Sequence, residues 1–214
     1  MDDIARMRYR RPHLRQAVEL RYPVALHLMG EPLLYPHLFE LIEYAKNKGL
    51  ELILFTNGSL LTDEAIDRLI DLELRFLVLS LQTPGKELFS LRDAPISYES
   101  YLETIRRVIR RKIERGALYP RIEVHFLNTK FTRPKGITVI DNNQQAKEVM
   151  LLWQDFAQQL AREFHVIAKG LPSSDLEHLL DLRGGEEYFE ILEGVNLVFK
   201  GTTTFANYLL EPGI

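Results

Sequence analysis

The sequence predicts an α/β fold, a parallel sheet with outer helices that forms an open sheet or partial barrel, on three observations. Short apolar runs alternate with helix-period stretches from residue 24 onward, several of those runs are too evenly apolar for a sheet with one wet face, and glycines stand just past three successive runs, at Gly30, Gly58 and Gly85. Only about four and a half strand–helix units are visible, whereas a closed eightfold barrel takes ~250 residues, so about five parallel strands and an unclosed barrel are expected from 214 residues.

The strands are read at Val24 to Met29, Leu50 to Phe55, Arg75 to Leu81, Arg121 to Leu127 and Val195 to Phe199. The first helix, about 37 to 48, puts Leu38, Leu41, Ile42 and Ala45 on one face and stops at Gly49. The second opens with Thr62-Asp63-Glu64, a capping hydroxyl and two acids at the positive end of the helix dipole, and buries Ile66, Leu69 and Ile70. A third runs from Ser97 to about Arg115, with Tyr101, Ile105, Val108 and Ile109 in its stripe, and a fourth spans about 143 to 164 around Val149, Met150, Trp153 and Leu160. Every proline falls outside these interiors. Residues 1–23 read as a basic N-terminal segment with a helical patch from Leu14 to Leu20, and residues 24–214 as the barrel domain. The stretch 166–194 shows only weak periodicity.

The chain has no cysteine, which excludes disulfides, thiol nucleophiles, thiolate zinc sites and any iron–sulfur cluster held by its own thiolates. No apolar run approaches the roughly 18 residues of a membrane span, and the acidic start is unlike a secretory signal, so a soluble cytoplasmic protein with no membrane partner is expected. The overall charge of −3 hides an asymmetry. Arg106, Arg107, Arg110, Arg111, Lys112, Arg115 and Arg121 face one acid, Glu114, for a net +6, whereas residues 175–193 hold seven acids against Arg183, a net −6. The bases lie opposite the apolar stripe of their helix with no stacking aromatics between them, which argues for a solvated outer helix rather than a nucleic-acid surface.

Three turns carry the chemistry. Gly30-Glu31-Pro32-Leu33-Leu34 follows the first strand: Gly30 lets backbone approach a ligand, Pro32 stiffens the loop, and Glu31 offers a carboxylate at the C-terminal edge of the sheet, where an ammonium or a ribose hydroxyl could meet it. Thr56-Asn57-Gly58-Ser59 follows the second and presents the Asn57 amide to the same rim. Leu79-Ser80-Leu81-Gln82 ends the third, with Ser80 and Gln82 at alternate positions. Each turn alone is also compatible with a plain βα connection; three on successive strands are not routine. His27, His37 and His125 form no metal-ligand spacing and read as structural or surface residues, so no metal site is expected. No G-x-S-x-G elbow, phosphate loop or G-x-G-x-x-G occurs.

The order Gly30-Glu31-Pro32, Thr56-Asn57-Gly58, Leu79-Ser80-Leu81-Gln82, with a strand and helix between each, closely resembles the core of the radical S-adenosylmethionine family. The resemblance continues more loosely through Ile122 to Asn128 and Asn196 to Asn207. It implies a partial (β/α) barrel of the radical SAM type with the first strand missing, and two cofactors: S-adenosylmethionine, and a [4Fe–4S] cluster that cleaves it to a radical. It also implies that Gly30, Glu31 and Pro32 receive the methionine amino group, that Asn57 lines the next loop, that Ser80 and Gln82 face the ribose, and that Asn128 stands on the same rim. No catalytic acid, base or hydrogen donor is assigned, and the substrate, a small molecule or a peptide, is not specified.

The family's cluster is held by C-x-x-x-C-x-x-C on a loop one unit ahead of the Gly-Glu-Pro strand, and this chain has no cysteine there or anywhere. The resemblance therefore implies a chain that starts inside the helix after the cluster loop and lacks a C-terminal extension: an inactive fragment of a radical enzyme. Two alternatives stand beside it, a cluster-free remnant that binds S-adenosylmethionine, a nucleotide or a protein, and an unrelated α/β enzyme using Glu31 as general base.

Overall fold

The computed structural model describes residues 23–26, 30–83, 85–89, 96–128, 140, 143–170 and 186–201. The basic segment before residue 23, His27, the stretches 129–139 and 171–185, and Asn207 lie outside the described residues, as does the side chain of Asn128. In chain order the elements are β1 (Val24–Leu26), a 3₁₀ turn (Pro32–Leu34), α1 (Leu38–Asn47), β2 (Leu52–Thr56), α2 (Asp63–Asp71) and β3 (Phe76–Gln82). They continue with a short α3 (Lys86–Phe89), α4 (Tyr98–Glu114), β4 (Arg121–Asn128), α5 (Asn143–Phe164), β5 (Glu186–Leu192) and β6 (Val195–Gly201).

The six strands form one sheet in the order β1-β2-β3-β4-β6-β5, all parallel except β5, which runs antiparallel to β6. Because β1 to β4 are neighbours in sequence and in space, right-handed crossovers carry every intervening helix to the same face, which is the winding of a barrel and not of a doubly wound sheet. The core shows that face. Leu52, Leu54, Leu77, Leu79, Ile122, Val124, Phe126, Leu197 and Phe199 share one buried cluster with Ile42, Ile66, Ile105 and Trp153 from the helices.

The predicted strands and helices are found, and their ends have local causes. Thr62 Oγ1 accepts the Ala65 N–H at 3.2 Å and Ser97 Oγ accepts the Ser100 N–H at 3.1 Å, so both caps operate as read. Four helices end in a left-handed residue, Gly49, Glu73, Gly116 and His165. After each the chain returns an N–H to the last turn: Leu50 to Ala45, Leu74 to Leu69, Ala117 to Lys112 and Val166 to Ala161. Two of the four are not glycine, a conformation that costs a side-chain-bearing residue about 1 kcal/mol or more.

The basic face of α4 is laced to its neighbours. Arg107 pairs with Asp63 at 3.0 Å, Arg111 grips Asp67 with two nitrogens, Arg115 reaches Asp67 and Asp71, and Arg110 pairs with Glu163 on α5. The hydrogen bond from Arg111 holds the Asp67 carboxyl below its ordinary value. The Arg106 guanidinium lies 5.6 Å from the Phe156 ring centre. This cluster is the joint between α2, α4 and α5.

One strand was not foreseen. β5 lies in the stretch of weak periodicity, and the two-residue turn Glu193-Gly194, with Gly194 at φ +68°, folds it back along β6. The end of β3 also departs from simple alternation. Leu79 pairs with Val124 but Gln82 with Phe126, so one extra residue bulges out of β3 at Ser80-Leu81.

Candidate functional site

The parallel strands β1 to β4 end on one rim, and the first two rim turns are joined by a single carboxylate. Glu31 caps the 3₁₀ turn, accepting the Leu33 N–H at 3.2 Å, and Pro32 at the first position of that turn gives up no needed donor. The same carboxylate takes the Thr56 hydroxyl on Oε1 at 2.8 Å and the Asn57 N–H on Oε2 at 2.9 Å. Thr56 Oγ1 in turn accepts the Gly58 N–H at 2.9 Å. Asn57 Oδ1 accepts both the N–H and the hydroxyl of Ser59, at 2.9 and 2.6 Å. The turn is thus closed by side chains the sequence places within four residues of one another.

This arrangement gives Glu31 a structural task as well as a chemical one. Three of the roughly four acceptor positions of its carboxylate are filled, so one remains for an ammonium or hydroxyl arriving from the rim. Asn57 has spent its carbonyl on Ser59, and its exposed Nδ2 has no acceptor among the described residues. Gly30 has φ +93° with nothing within 4 Å of where a Cβ would stand, so the backbone there is open to approach. Gly58 is the opposite case: at φ +74°, a Cβ would come 2.4 Å from Cε2 of the buried Tyr101.

The third turn carries backbone strain. Gln82 has φ +65°, and the Thr83 N–H donates to the Leu81 carbonyl across it at 2.8 Å. An i to i+2 hydrogen bond over a positive φ is the rarer, strained form of γ-turn, and no glycine or asparagine is present to ease it. Ser80 and Gln82 are both half-buried at this strand end. The backbone of Asn128 closes β4 opposite Gly201. The structure therefore brings Gly30, Glu31, Pro32 and Asn57 into one hydrogen-bonded unit, with Ser80 and Gln82 on the neighbouring strand. Thr56, the hinge of that unit, stands in the Thr56-Asn57-Gly58 turn, and the sequence alone gives it no role there.

A second polar group lies on the face of the sheet opposite the helices. There Glu123 and His125 of β4 stand beside Lys200 of β6 and Glu186 and Tyr188 of β5. His125 Nε2 is 2.8 Å from Glu123 Oε2, and its ring lies edge-on to Phe55, 6.0 Å between centres. Burial pushes the imidazole below its ordinary value, against the hydrogen bond to Glu123. Burial would raise Glu186, but hydrogen bonds from Lys200 and Tyr188 hold it below the ordinary carboxylate range. Burial and the Glu186 carboxylate push the Tyr188 phenol up, so it stays protonated. The signal for this group was the alternation of Glu123 and His125 with Ile122, Val124 and Phe126, which marks a wet face on a strand.

A cleft of about 690 Å³ lies elsewhere. It opens at the other end of the strands, among Lys112, Arg121, Lys169, Glu190, Leu192 and Glu193. In barrel-wound sheets ligands are handled at the C-terminal ends of the strands, and the built carboxylate and the strained turn are found at that end. No helix among the described residues is long and apolar enough to cross a membrane.

Over 84 residues the chain is 33% identical to the AdoMet-dependent heme synthase of Methanosarcina barkeri, a match that takes in 39% of this chain and 24% of that protein. Among solved structures, SuiB of Streptococcus suis bound to its precursor peptide SuiA aligns at a TM-score of 0.48 and 18% identity, over 70% of this chain and 29% of that one. Archaeal TYW1 aligns at a TM-score of 0.40 and 19% identity, over 72% of this chain and 54% of that one. The model of the radical SAM superfamily matches residues 11–122, more than half of the chain and the whole stretch that carries β1 to β3 with their three turns. The chain belongs to the radical SAM superfamily.

Proposed function

We propose that this chain is an S-adenosylmethionine-binding module of the radical SAM type that does not hold the family's iron–sulfur cluster with its own residues. The observation that carries the proposal is a rim assembled around Glu31 in a chain without cysteine. The cluster does not fit the residues present: there is no thiolate to bind it, and among the described residues no group of three or more His, Asp or Glu side chains could hold a metal ion. Reductive cleavage of S-adenosylmethionine is therefore not assigned to this chain alone.

S-Adenosylmethionine itself fits better. Glu31 keeps an acceptor position for the methionine ammonium, Gly30 leaves open space beside the backbone, Asn57 offers Nδ2, and Ser80 and Gln82 stand on the adjacent strand end toward the ribose. Gly30 and Pro32 fix where Glu31 sits, and Asn128 borders the rim. The work of these residues is to bind and orient. The whole protein's reaction, its small-molecule or peptide substrate and a cytoplasmic location belong to the same proposal.

The test is an anaerobic reconstitution of the full chain with ferrous iron and sulfide, followed by calorimetric titration with S-adenosylmethionine. The expected result is no cluster absorbance, saturable S-adenosylmethionine binding, and a loss of about tenfold in affinity in Glu31→Gln, the cost of one charge-assisted hydrogen bond. A cluster that forms, or a folded chain that does not bind, overturns the proposal.

A further inference from the structure

Glu123 is a carboxylate with no ion-pair partner of its own among the lysines and arginines of the described residues. Its side chain is 15% exposed, and among the described residues its one hydrogen-bond partner is His125, with no lysine or arginine in ion-pair range. The charges nearest to it on β5 and β6 are already matched. Lys200 pairs with Glu186 at 2.6 Å, and Tyr188 donates its hydroxyl to the same Glu186. A neutral imidazole bonded to an ionised carboxylate must donate from Nε2, which leaves Nδ1 unprotonated, an acceptor with no partner among the described residues on a side chain only 7% exposed. Neither acceptor is closed off by protein, so a ligand that brings N–H donors and positive charge reaches both.

We propose that Glu123 and His125 form a binding site for an organic cation, an ammonium or guanidinium group on a small molecule or a basic peptide side chain. Glu123 is its counter-charge and His125 Nδ1 accepts a second N–H. The geometry selects this class. An anion would meet the Glu123 charge, and a divalent metal would find too few ligands, since no three-residue metal cluster exists among the described residues. A cation with several N–H groups satisfies both vacant acceptors at once. The site goes beyond the rim around Glu31, and its test does not depend on S-adenosylmethionine binding there.

The experiment titrates methylguanidinium chloride and ethylammonium chloride into the full chain without S-adenosylmethionine, with sodium chloride at matched ionic strength as reference. The readout is the NMR signal of the His125 ring, identified by its disappearance in His125→Gln. The expected result is a saturable shift with a dissociation constant of about 1–10 mM, a fair range for so small a ligand. In Glu123→Gln the affinity falls by about tenfold or more. In Lys200→Met, which removes a positive charge felt at His125 and frees Glu186, it rises by about threefold. A shift no different from that of sodium chloride, binding that persists in a folded Glu123→Gln variant, or weaker binding in Lys200→Met overturns the site.

Discussion

The two faces of the sheet are drawn from the same strands and built for different ends. Along β4, Ile122, Val124 and Phe126 go under the helices, while Glu123 and His125 go to the other side. Along β6, Leu197 and Phe199 do the first, and Lys200 the second. The helix-covered face is mostly apolar, and Phe126 and Phe199 stack there at 5.3 Å between ring centres. The opposite face keeps Val78 and Val198 buried beside Glu123 and His125 and leaves polar groups where a ligand could use them. One face carries the stability of this fold, and so the other is free to carry groups that cost it.

Phe126→Ala puts that division to its strongest test. The ring is fully buried in the shared core, so its loss should cost about 3–5 kcal/mol in denaturant unfolding. A cost below about 1 kcal/mol would mean that this face is not packed as described. The next effect is Gly58→Ala at the rim, expected to cost about 2 kcal/mol because it adds a left-handed alanine to a 2.4 Å encounter with the Tyr101 ring. Gly30→Ala, with a similar φ and open space, should cost only the backbone part, about 1 kcal/mol. Equal losses at the two glycines would show that the Tyr101 contact is yielding.

Smaller again is the Glu31 latch. Glu31→Gln keeps the shape but weakens three hydrogen bonds, and about 1–2 kcal/mol of stability should go with it. Thr56→Val should remove much of the same energy, so the double variant should lose clearly less than the sum of the two. Strict additivity would separate the two turns that the carboxylate joins.

The helix-covered face was the more legible of the two. Stripes such as Tyr101, Ile105, Val108 and Ile109 announce a helix, and hydroxyls at Thr62 and Ser97 announce where helices start. The rim was legible as turn chemistry in Gly30-Glu31-Pro32 and Asn57-Gly58, although the bond between them spans 26 positions and no local pattern reveals it. β5 was missed because three glutamates interrupt the apolar residues of Glu186 to Leu192, and the Glu193-Gly194 turn is short. The strain at Gln82 was invisible because the residue has no preference for positive φ; the bulge in β3 imposes it. The apolar strand around His125 points to a structural or surface histidine, and the structure pairs its buried ring with Glu123, two positions back.

The smallest effect at neutral pH, and the one that tests the polar face without a ligand, is the titration of His125. Its folded value lies below the unfolded one, near 6.5, so the unfolded chain takes up a proton first as the pH falls. The contribution is nil above pH 6.5, and stability then declines through the range below it until the folded imidazole is itself protonated. One proton bounds the slope at ~1.4 kcal/mol per pH unit. Urea midpoints measured from pH 8 to pH 5 should therefore be flat and then fall, and His125→Gln should flatten part of that fall. Glu123→Gln should steepen it, because the carboxylate is the group that raises the imidazole toward its ordinary value. An identical profile in all three chains would mean that the imidazole is not held in the folded chain as the geometry around Glu123 requires.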